Sequence, residues 1–308
     1  MFVKLAPFLI LSAALLWGTT GTAQFLGPDN TSPLSIGAVR LLIGGLFLIT
    51  IAVAAGRFRL SGWHMPSVLT AAVAMACYQP FFFSAVSLTG IAVGSVIAIG
   101  SAPIFAGFME WQWRKRRPTA VWWISTILSA GGCTLLMINQ SAITVHPAGI
   151  FTALGAGCSF ALYTIASERL VHEQPPLASA AVVFSLSGLM LAPLLIFTDT
   201  SWILSAAGSL TALHLGIAAT GIAYALFVTG LLHTTSSNAV TLSLAEPVTA
   251  ALLGIFFIGE QLQALSWAGL FLVTVGLAVL VLRPYYPAIL RKLRRHQASA
   301  PVFLGRHR

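Results

Sequence analysis

The 308-residue chain carries too little charge and too much apolar surface for a water-soluble globule. Hydrophobic residues make up 57% of it and charged residues only 7%, a composition typical of proteins that cross a membrane several times. The net charge of +9 does not indicate a nucleic-acid partner, because the Lys and Arg residues are confined to short segments between apolar runs. Cys77, Cys133 and Cys158 lack the paired spacing of a disulfide or metal site, so neither a metal nor a cofactor is expected.

Ten apolar runs of about 20 residues predict ten transmembrane helices. Each run is continuously apolar, whereas the strands of a membrane barrel alternate in polarity over about ten residues. The first run resembles a signal peptide, but the nine runs behind it indicate an uncleaved first helix. The sequence therefore predicts an all-α integral membrane protein with helices over residues 4–26, 33–54, 66–87, 91–112, 119–138, 147–170, 177–198, 209–231, 237–258 and 264–283.

The basic residues fall on one side of this ten-helix topology. The opposite loops carry Asp29, Asp199 and Glu260 and no Lys or Arg. The positive-inside rule then places both termini in the cytoplasm of a bacterial inner (plasma) membrane protein, with the basic tail resting on anionic lipid headgroups. The residues that set this orientation are Lys4, Arg57, Arg59, the run Arg114 to Arg117, Arg169 and the tail from Arg283 onward.

The chain repeats itself at an interval of 144 residues. Pro103 and Pro247 are separated by that interval, and so are Gly132 and Gly276. We predict a first five-helix repeat over residues 1–140, a second over 145–283 and a basic cytoplasmic tail over 284–308. Because five is an odd number, the second repeat enters the membrane from the opposite side, so the two repeats are predicted to be inverted. Inverted repeats are typical of transporters, whose substrate site lies near the membrane midplane.

An acid and a proline interrupt the ninth helix at its centre. A carboxylate in mid-span costs about 3 kcal/mol on insertion scales, so Glu246 is expected to face protein or water. Pro247 is expected to kink the helix and to leave backbone carbonyls open. Glu246 has two open roles: capping or pairing within the protein, and binding a substrate or a proton. The fourth helix carries a stripe of small residues on the face that corresponds, at the interval of 144 residues, to the Glu246 face of the ninth helix. This stripe is predicted to pack closely on another helix: Gly90, Gly94, Ala98, Ala102 and Ala106.

Arg40 lies within the second helix, toward its outer end. Its guanidinium is always charged and therefore needs a carboxylate or a water-filled cavity. Two roles stay open for it: a structural ion pair, with Glu246 as one candidate partner, and binding the carboxylate of a substrate. Other amphipathic side chains deep in the spans are candidates for lining a cavity that accepts an aromatic or amphipathic solute: Trp17, Tyr78, Gln79, Tyr163 and Tyr224.

Six further tryptophans stand near the ends of the predicted spans. Tryptophan is enriched at both membrane–water interfaces, so these residues are expected to be interfacial anchors. They are Trp111, Trp113, Trp122, Trp123, Trp202 and Trp267.

The layout resembles the EamA type of the drug/metabolite transporter superfamily over residues 4–283. The resemblance implies export of small metabolites from the cytoplasm by alternating access, and the deep aromatic residues are compatible with the YddG-like exporters of aromatic amino acids. We expect Pro103 and Pro247 to be the bending points of a monomer that binds a small-molecule substrate. The residues that carry it are Trp17-Gly18, Arg40, Pro103, Glu246-Pro247, Gly259-Glu260, and the glycines Gly132 and Gly276.

Other functions stay open at this point. Within transport, the alternative is broad-specificity efflux of cationic drugs, or a nucleotide-sugar carrier of the same superfamily. A passive channel would differ from a carrier in lacking saturable flux that counter-flow stimulates. An intramembrane enzyme would need a central Asp pair, an HExxH motif or a GxSG nucleophile, and the sequence contains none of these, so no enzymatic activity is expected. The single central carboxylate permits proton exchange without requiring it.

Overall fold

The computed structural model describes residues 2–29, 31–59, 61–89, 91–137, 146–259 and 261–282. Within these ranges the chain forms helices and no strand, which confirms the predicted all-α membrane fold. Nine of the described helices are long and apolar enough to cross a membrane, and α5 is a shorter apolar helix. The helices are α1 (Phe2–Phe25), α2 (Pro33–Ala54), α3 (Met65–Thr89), α4 (Ile91–Arg114), α5 (Ala120–Met137), α6 (Pro147–Glu173), α7 (Pro176–Leu191), α8 (Ala206–Leu231), α9 (Ser236–Ile258) and α10 (Ala264–Leu282).

The predicted boundaries agree with these helices closely. The largest difference is at the end of α7, which was predicted at residue 198 and lies at Leu191, and the other helix ends differ by about three residues or fewer. A 3₁₀ segment, Ala192–Ile196, continues α7 toward the next loop. The tail, Glu260 and the connection at 138–145 lie outside the described residues, so the predicted repeat and tail boundaries stay predictions.

Successive helices run up and down the bundle, so their loops gather at its two ends. At one end the Gln174 side chain donates hydrogen bonds to the carbonyls of Ser61 and Gly62, over 3.1 and 2.8 Å. At the other end the Trp202 indole donates to the Ser35 hydroxyl over 3.0 Å. The first end carries Arg57, Arg59, the run Arg114 to Arg117 and Arg169, and we call it the basic end.

Helices α5 and α10 pack through backbone contacts that repeat with exchanged partners. A methyl group placed on Gly132 would lie 2.6 Å from the Gly269 carbonyl oxygen, and one placed on Gly276 would lie 2.8 Å from the Ser125 carbonyl oxygen. Gly276 follows Gly132 by 144 residues, and Gly269 follows Ser125 by the same interval. The later residue of α5 meets the earlier residue of α10, so the helices are antiparallel. The two contacts are therefore repeated with exchanged partners at the interval of 144 residues.

Helices α2 and α7 show the same exchange. A methyl group on Gly45 would lie 2.8 Å from the Ser185 Cα atom, and one on Gly188 would lie 3.0 Å from the Leu42 nitrogen. The interval here is 143 residues, from Gly45 to Gly188 and from Leu42 to Ser185. Helix α1 packs on α8 and α9, as α6 packs on α3 and α4. The contact pattern of one five-helix group is thus repeated by the other.

The stripe of small residues in α4 is a packing surface, as predicted. Ala98, Ala102 and Ala106 are buried. A methyl group on Gly157 of α6 would lie 2.7 Å from the Ala98 carbonyl oxygen, so the two backbones approach closely there. Gly90 lies outside the described residues.

The expectation for the tryptophans is wrong at two of the six positions. Trp122 is 1% exposed and Trp202 is 8% exposed, so both are core residues rather than interfacial anchors. Trp122 packs over Gly107, where the missing side chain of α4 leaves room for the indole. Trp202 is held inward by its hydrogen bond to Ser35. The other four are 45–59% exposed, as anchors would be.

Candidate functional site

Helix α9 is broken one turn before its proline. It consists of an α-helix at Ser236–Leu242, a second at Ala245–Leu253 and a π-helix at Gly254–Ile258. Pro247 has no N–H and its ring excludes a carbonyl four residues earlier, at Ser243. The Ser243 carbonyl instead accepts from the Glu246 N–H over 2.9 Å. The α-helix is thus interrupted just before Pro247, and Glu246 stands at the start of the second segment. Helix α4, by contrast, continues through Pro103 without interruption.

Arg40 is held by a π-helical segment of α8, His214–Ile222. Its Nε–H donates to the Thr220 hydroxyl over 3.1 Å, and its Nη2 donates to the Ala219 carbonyl over 3.5 Å. Thr220 donates in turn to the Leu215 carbonyl, five residues earlier, over 2.8 Å. Helices α2 and α8 meet at Gly44, where a methyl group would lie 2.9 Å from the Gly216 carbonyl oxygen. A guanidinium has five N–H donors, so donors remain for another group.

Arg40 and Glu246 do not form an ion pair with each other. Each acts electrostatically on the other, but in the described part of the chain no carboxylate oxygen lies within 4.0 Å of Arg40. Both side chains are partly buried. The span therefore contains a cation and an anion with no ion pair between them.

The aromatic candidates form one connected layer next to these charges. Trp17 of α1 lies 4.8 Å from Tyr224 of α8, between ring centroids, and 5.9 Å from Phe160 of α6. Tyr163 lies 5.6 Å from Tyr224, and Tyr78 of α3 reaches the layer through Phe160, 6.1 Å away. Tyr78 and Tyr224 also interact electrostatically with both Glu246 and Arg40.

At two glycines, the helices that carry the charged residues pack closely against the helices that carry predicted lining residues. A methyl group on Gly18, next to Trp17, would lie 2.8 Å from the Glu246 carbonyl oxygen. One on Gly37, one turn before Arg40, would lie 3.1 Å from the Gln79 side-chain oxygen.

The predicted site residues differ in how accessible they are. Tyr163 is fully buried and Gln79 is 3% exposed. Trp17 is also buried, and its indole N–H has no hydrogen-bond partner within the described ranges. Tyr78 is partly exposed, as are Arg40 and Glu246. Tyr163, Gln79 and Trp17 are therefore all buried, and the Tyr163 hydroxyl and the Trp17 indole N–H both lack a hydrogen-bond partner in the described ranges.

Sequence reasoning missed a second group of charges, at the basic end. Glu110 of α4 and Glu168 of α6 are almost fully buried, at 3% and 1% exposure. Arg114 pairs with Glu168 over 2.6 Å. The pattern that could have indicated them is an acid inside an apolar helix shortly before a basic loop. No group of three His, Cys, Asp or Glu side chains in the described ranges is placed to hold a metal ion.

A family model of EamA-like transporters matches residues 4–138 and matches again at residues 147–282. The chain belongs to the EamA-like transporter family. The two matched segments correspond to helices α1–α5 and α6–α10. The protein is therefore a multi-pass membrane transporter, in agreement with its apolar helices.

Similar proteins of this family come from several bacteria. The uncharacterized transporter YwfM of Bacillus subtilis (strain 168) is 52% identical over 275 residues, covering 89% of this chain and 93% of the relative. The threonine/homoserine exporter RhtA of Escherichia coli (strain K12) is 26% identical over 261 residues, 84% of each chain. A protein known from a crystal structure has the same fold, with a TM-score of 0.78 at 22% identity, covering 89% of this chain and 95% of that one.

Proposed function

We propose that this transporter exports zwitterionic amino acids, preferably aromatic ones, out of the cytoplasm through a site bounded by Arg40 and Glu246. The observation that carries the proposal is the placement of these two opposite charges within the membrane span without an ion pair between them. An intramembrane charge is costly and marks a substrate or ion pathway when no structural partner neutralises it.

A free α-amino acid complements such a pair. Its carboxylate can accept from the guanidinium donors that Thr220 and Ala219 leave unused, in the bidentate geometry that arginine favours. Its ammonium group can lie against Glu246. One molecule thereby neutralises both protein charges, whereas a plain cation or anion leaves one of them uncompensated in a medium of low dielectric constant.

The aromatic layer favours a substrate with an apolar or aromatic side chain. Tyr78 is partly exposed and offers its ring to a substrate ring, while the buried rings of Trp17 and Tyr224 pack behind it in the same layer; aromatic contacts add about 0.5–1.5 kcal/mol beyond area burial. The indole N–H of Trp17, which has no partner in the described ranges, can donate to a carboxylate oxygen of the substrate. The similarity to RhtA, named as a threonine/homoserine exporter, also favours the amino-acid class.

Transport would proceed by alternating access between two inverted five-helix repeats. The exchanged contacts of α5 with α10 and of α2 with α7 support a two-fold axis in the membrane plane, with both termini in the cytoplasm. The break in α9 before Pro247 is the first bending point. Pro103, within continuous α4, is the second, and it would bend only in the other transport state.

The test is uptake and release by proteoliposomes containing the purified protein and loaded with phenylalanine, threonine or analogues. Phenylethylamine keeps the ring and the cation but has no carboxylate, and phenylpropionate keeps the carboxylate without the amine. We expect flux of both amino acids above empty liposomes, weaker flux of either analogue, and loss of phenylalanine flux in Arg40→Met and in Glu246→Gln. Arg57→Met and Glu173→Gln are matched controls, because Arg57 is exposed and Glu173 pairs with half-exposed Arg169 near the membrane surface.

The same assay separates the rival functions. Cation efflux would give phenylethylamine flux that survives Arg40→Met and disappears in Glu246→Gln. A channel would give flux that neither saturates nor responds to substrate on the far side. Absence of amino-acid flux above empty liposomes would refute the proposal.

A further inference from the structure

Two buried carboxylates at the basic end join three helices. The Arg114 guanidinium of α4 lies 2.6 Å from Glu168 of α6 and also donates to the Ile165 carbonyl over 3.0 Å. Arg116 lies 3.1 Å from Glu168 and 4.0 Å from Glu110. The group therefore contains two acids and two bases, with no excess charge.

The same carboxylates hold the first turn of α9. Glu168 accepts from the Ser236 N–H over 3.1 Å and also from the Ser236 hydroxyl. Glu110 accepts from the Ser237 N–H over 3.0 Å. The first N–H groups of a helix have no partner within the helix, and a carboxylate there is favoured by the helix dipole. Helix α9 is thus tied to α4 and α6 at the basic end, and it is the helix that carries Glu246.

At the other end of the bundle, the residues that correspond to this network at the repeat interval do not have the same charges. Glu110 corresponds to Gly254 at the interval of 144 residues, and Arg114 corresponds to Ile258. Ser237 falls on Val93. Helix α1, the counterpart of α6, contains no Asp or Glu at all. The repeats therefore share their packing contacts, but among the described residues these ion pairs lie at the basic end alone.

We propose that Glu110, Glu168, Arg114 and Arg116 form a latch that closes the basic end. In the absence of substrate, the latch favours the state in which the basic end is closed and the other end can open. A symmetric pair of repeats would have no intrinsic preference between its two states. Ion pairs that exist in one state alone shift the population toward that state. Breaking the latch, by substrate or by mutation, would allow α9 to separate from α4 and α6 at the cytoplasmic side. This inference rests on the proposed alternating access and on the proposed cytoplasmic position of the basic end, and it is independent of the proposed amino-acid substrate.

Cysteine labelling tests the latch without any substrate. In a background where Cys77, Cys133 and Cys158 are replaced by alanine, Ser237→Cys provides a reporter beside the latch and Ser243→Cys a deeper one at the break in α9. Both serines are 6% exposed. The full chain is labelled in inside-out membrane vesicles with a membrane-impermeant thiosulfonate reagent, and the initial rates are compared.

We expect Glu168→Gln to raise the labelling rate of both reporters about tenfold or more, because the open state changes from a minor population to a larger one. Glu173→Gln, an acid five residues further along α6 that pairs with Arg169, should leave both rates unchanged. An increase at Ser237→Cys alone would mean that only the end of α9 frays, and it would overturn the proposal. Unchanged rates at both reporters would overturn it as well.

A second variant guards against misfolding. If Glu168→Gln does not accumulate in the membrane, the double variant Arg114→Gln with Glu168→Gln removes one acid and one base together and leaves Arg116 beside Glu110. No unbalanced charge stays buried in it, so it should fold and still label faster. A correctly folded double variant with wild-type labelling rates would contradict the latch.

Discussion

Two neighbouring glycines in α5 test the packing on which the repeat architecture depends. A methyl group on Gly132 would lie 2.6 Å from the Gly269 carbonyl oxygen and 2.7 Å from the Val273 nitrogen, and both are backbone atoms of α10. A methyl group on Gly131 would have no atom within 4 Å. Gly132→Ala must push the two helices apart and should destabilise the fold by about 1–3 kcal/mol. Gly131→Ala should be neutral or stabilising by about 0.5–1 kcal/mol.

The exchanged contacts extend this prediction to the other repeat. A methyl group on Gly276 would lie 2.8 Å from the Ser125 carbonyl oxygen, so Gly276→Ala should cost the same order of free energy as Gly132→Ala. The assay is thermal unfolding of the purified protein in a mild detergent, followed by fluorescence-detected size exclusion. The expected order of melting temperature is Gly131→Ala at or above wild type, with Gly132→Ala and Gly276→Ala both below it. Equal melting temperatures for Gly131→Ala and Gly132→Ala would refute the packing argument.

Three further changes probe the site and its support. Thr220→Val removes the acceptor of the Arg40 Nε–H without changing the side-chain shape. Because a hydrogen bond to a charged group contributes about 1.5–3 kcal/mol, it should lower the initial rate of phenylalanine export about tenfold or more, and a wild-type rate would count against the role of Arg40. Trp17→Phe replaces the indole by a smaller ring and removes an N–H that has no partner in the described ranges; because Trp17 is buried, we expect a lower melting temperature from the space that is left together with a higher KM for export, and an unchanged KM would remove Trp17 from the site. Ser187→Ala removes a hydrogen bond to the Ala72 carbonyl, which should lower the unfolding free energy by about 1 kcal/mol, and detergent unfolding would detect the loss or its absence.

The ten helices and the repeat interval could be predicted because the membrane restricts the possible structures. A span in lipid must satisfy its backbone hydrogen bonds internally, so hydropathy alone located the helices to within a few residues. The glycines at 132 and 276 stand out in the sequence at one interval, and they occupy equivalent contacts between α5 and α10. The break in α9 was expected from Pro247, which has no N–H to donate, but α4 continues through Pro103, so a proline alone does not decide where a helix is interrupted.

Features that depend on which distant helices contact one another could not be predicted from the sequence. Glu110 and Glu168 stand 58 residues apart, and no local pattern indicates that they meet at the start of α9. The π-helix that holds Arg40 has no proline, and its hydropathy is like that of an ordinary span. The sequence left open whether Arg40 pairs with Glu246, since the answer is set by the relative position of α2 and α9. Trp122 was misjudged because the space it fills is created by Gly107, on another helix.

The most direct test of a carrier with a site for zwitterions is counter-flow in proteoliposomes containing the wild-type protein. Liposomes are loaded with unlabelled phenylalanine, diluted into a trace of labelled phenylalanine, and the accumulated label is followed over time. We predict transient accumulation of label above its equilibrium level, which Arg40→Met and Glu246→Gln abolish and Arg57→Met preserves. Label that never exceeds equilibrium in the wild-type protein, or accumulation that persists in both site variants, would contradict the account.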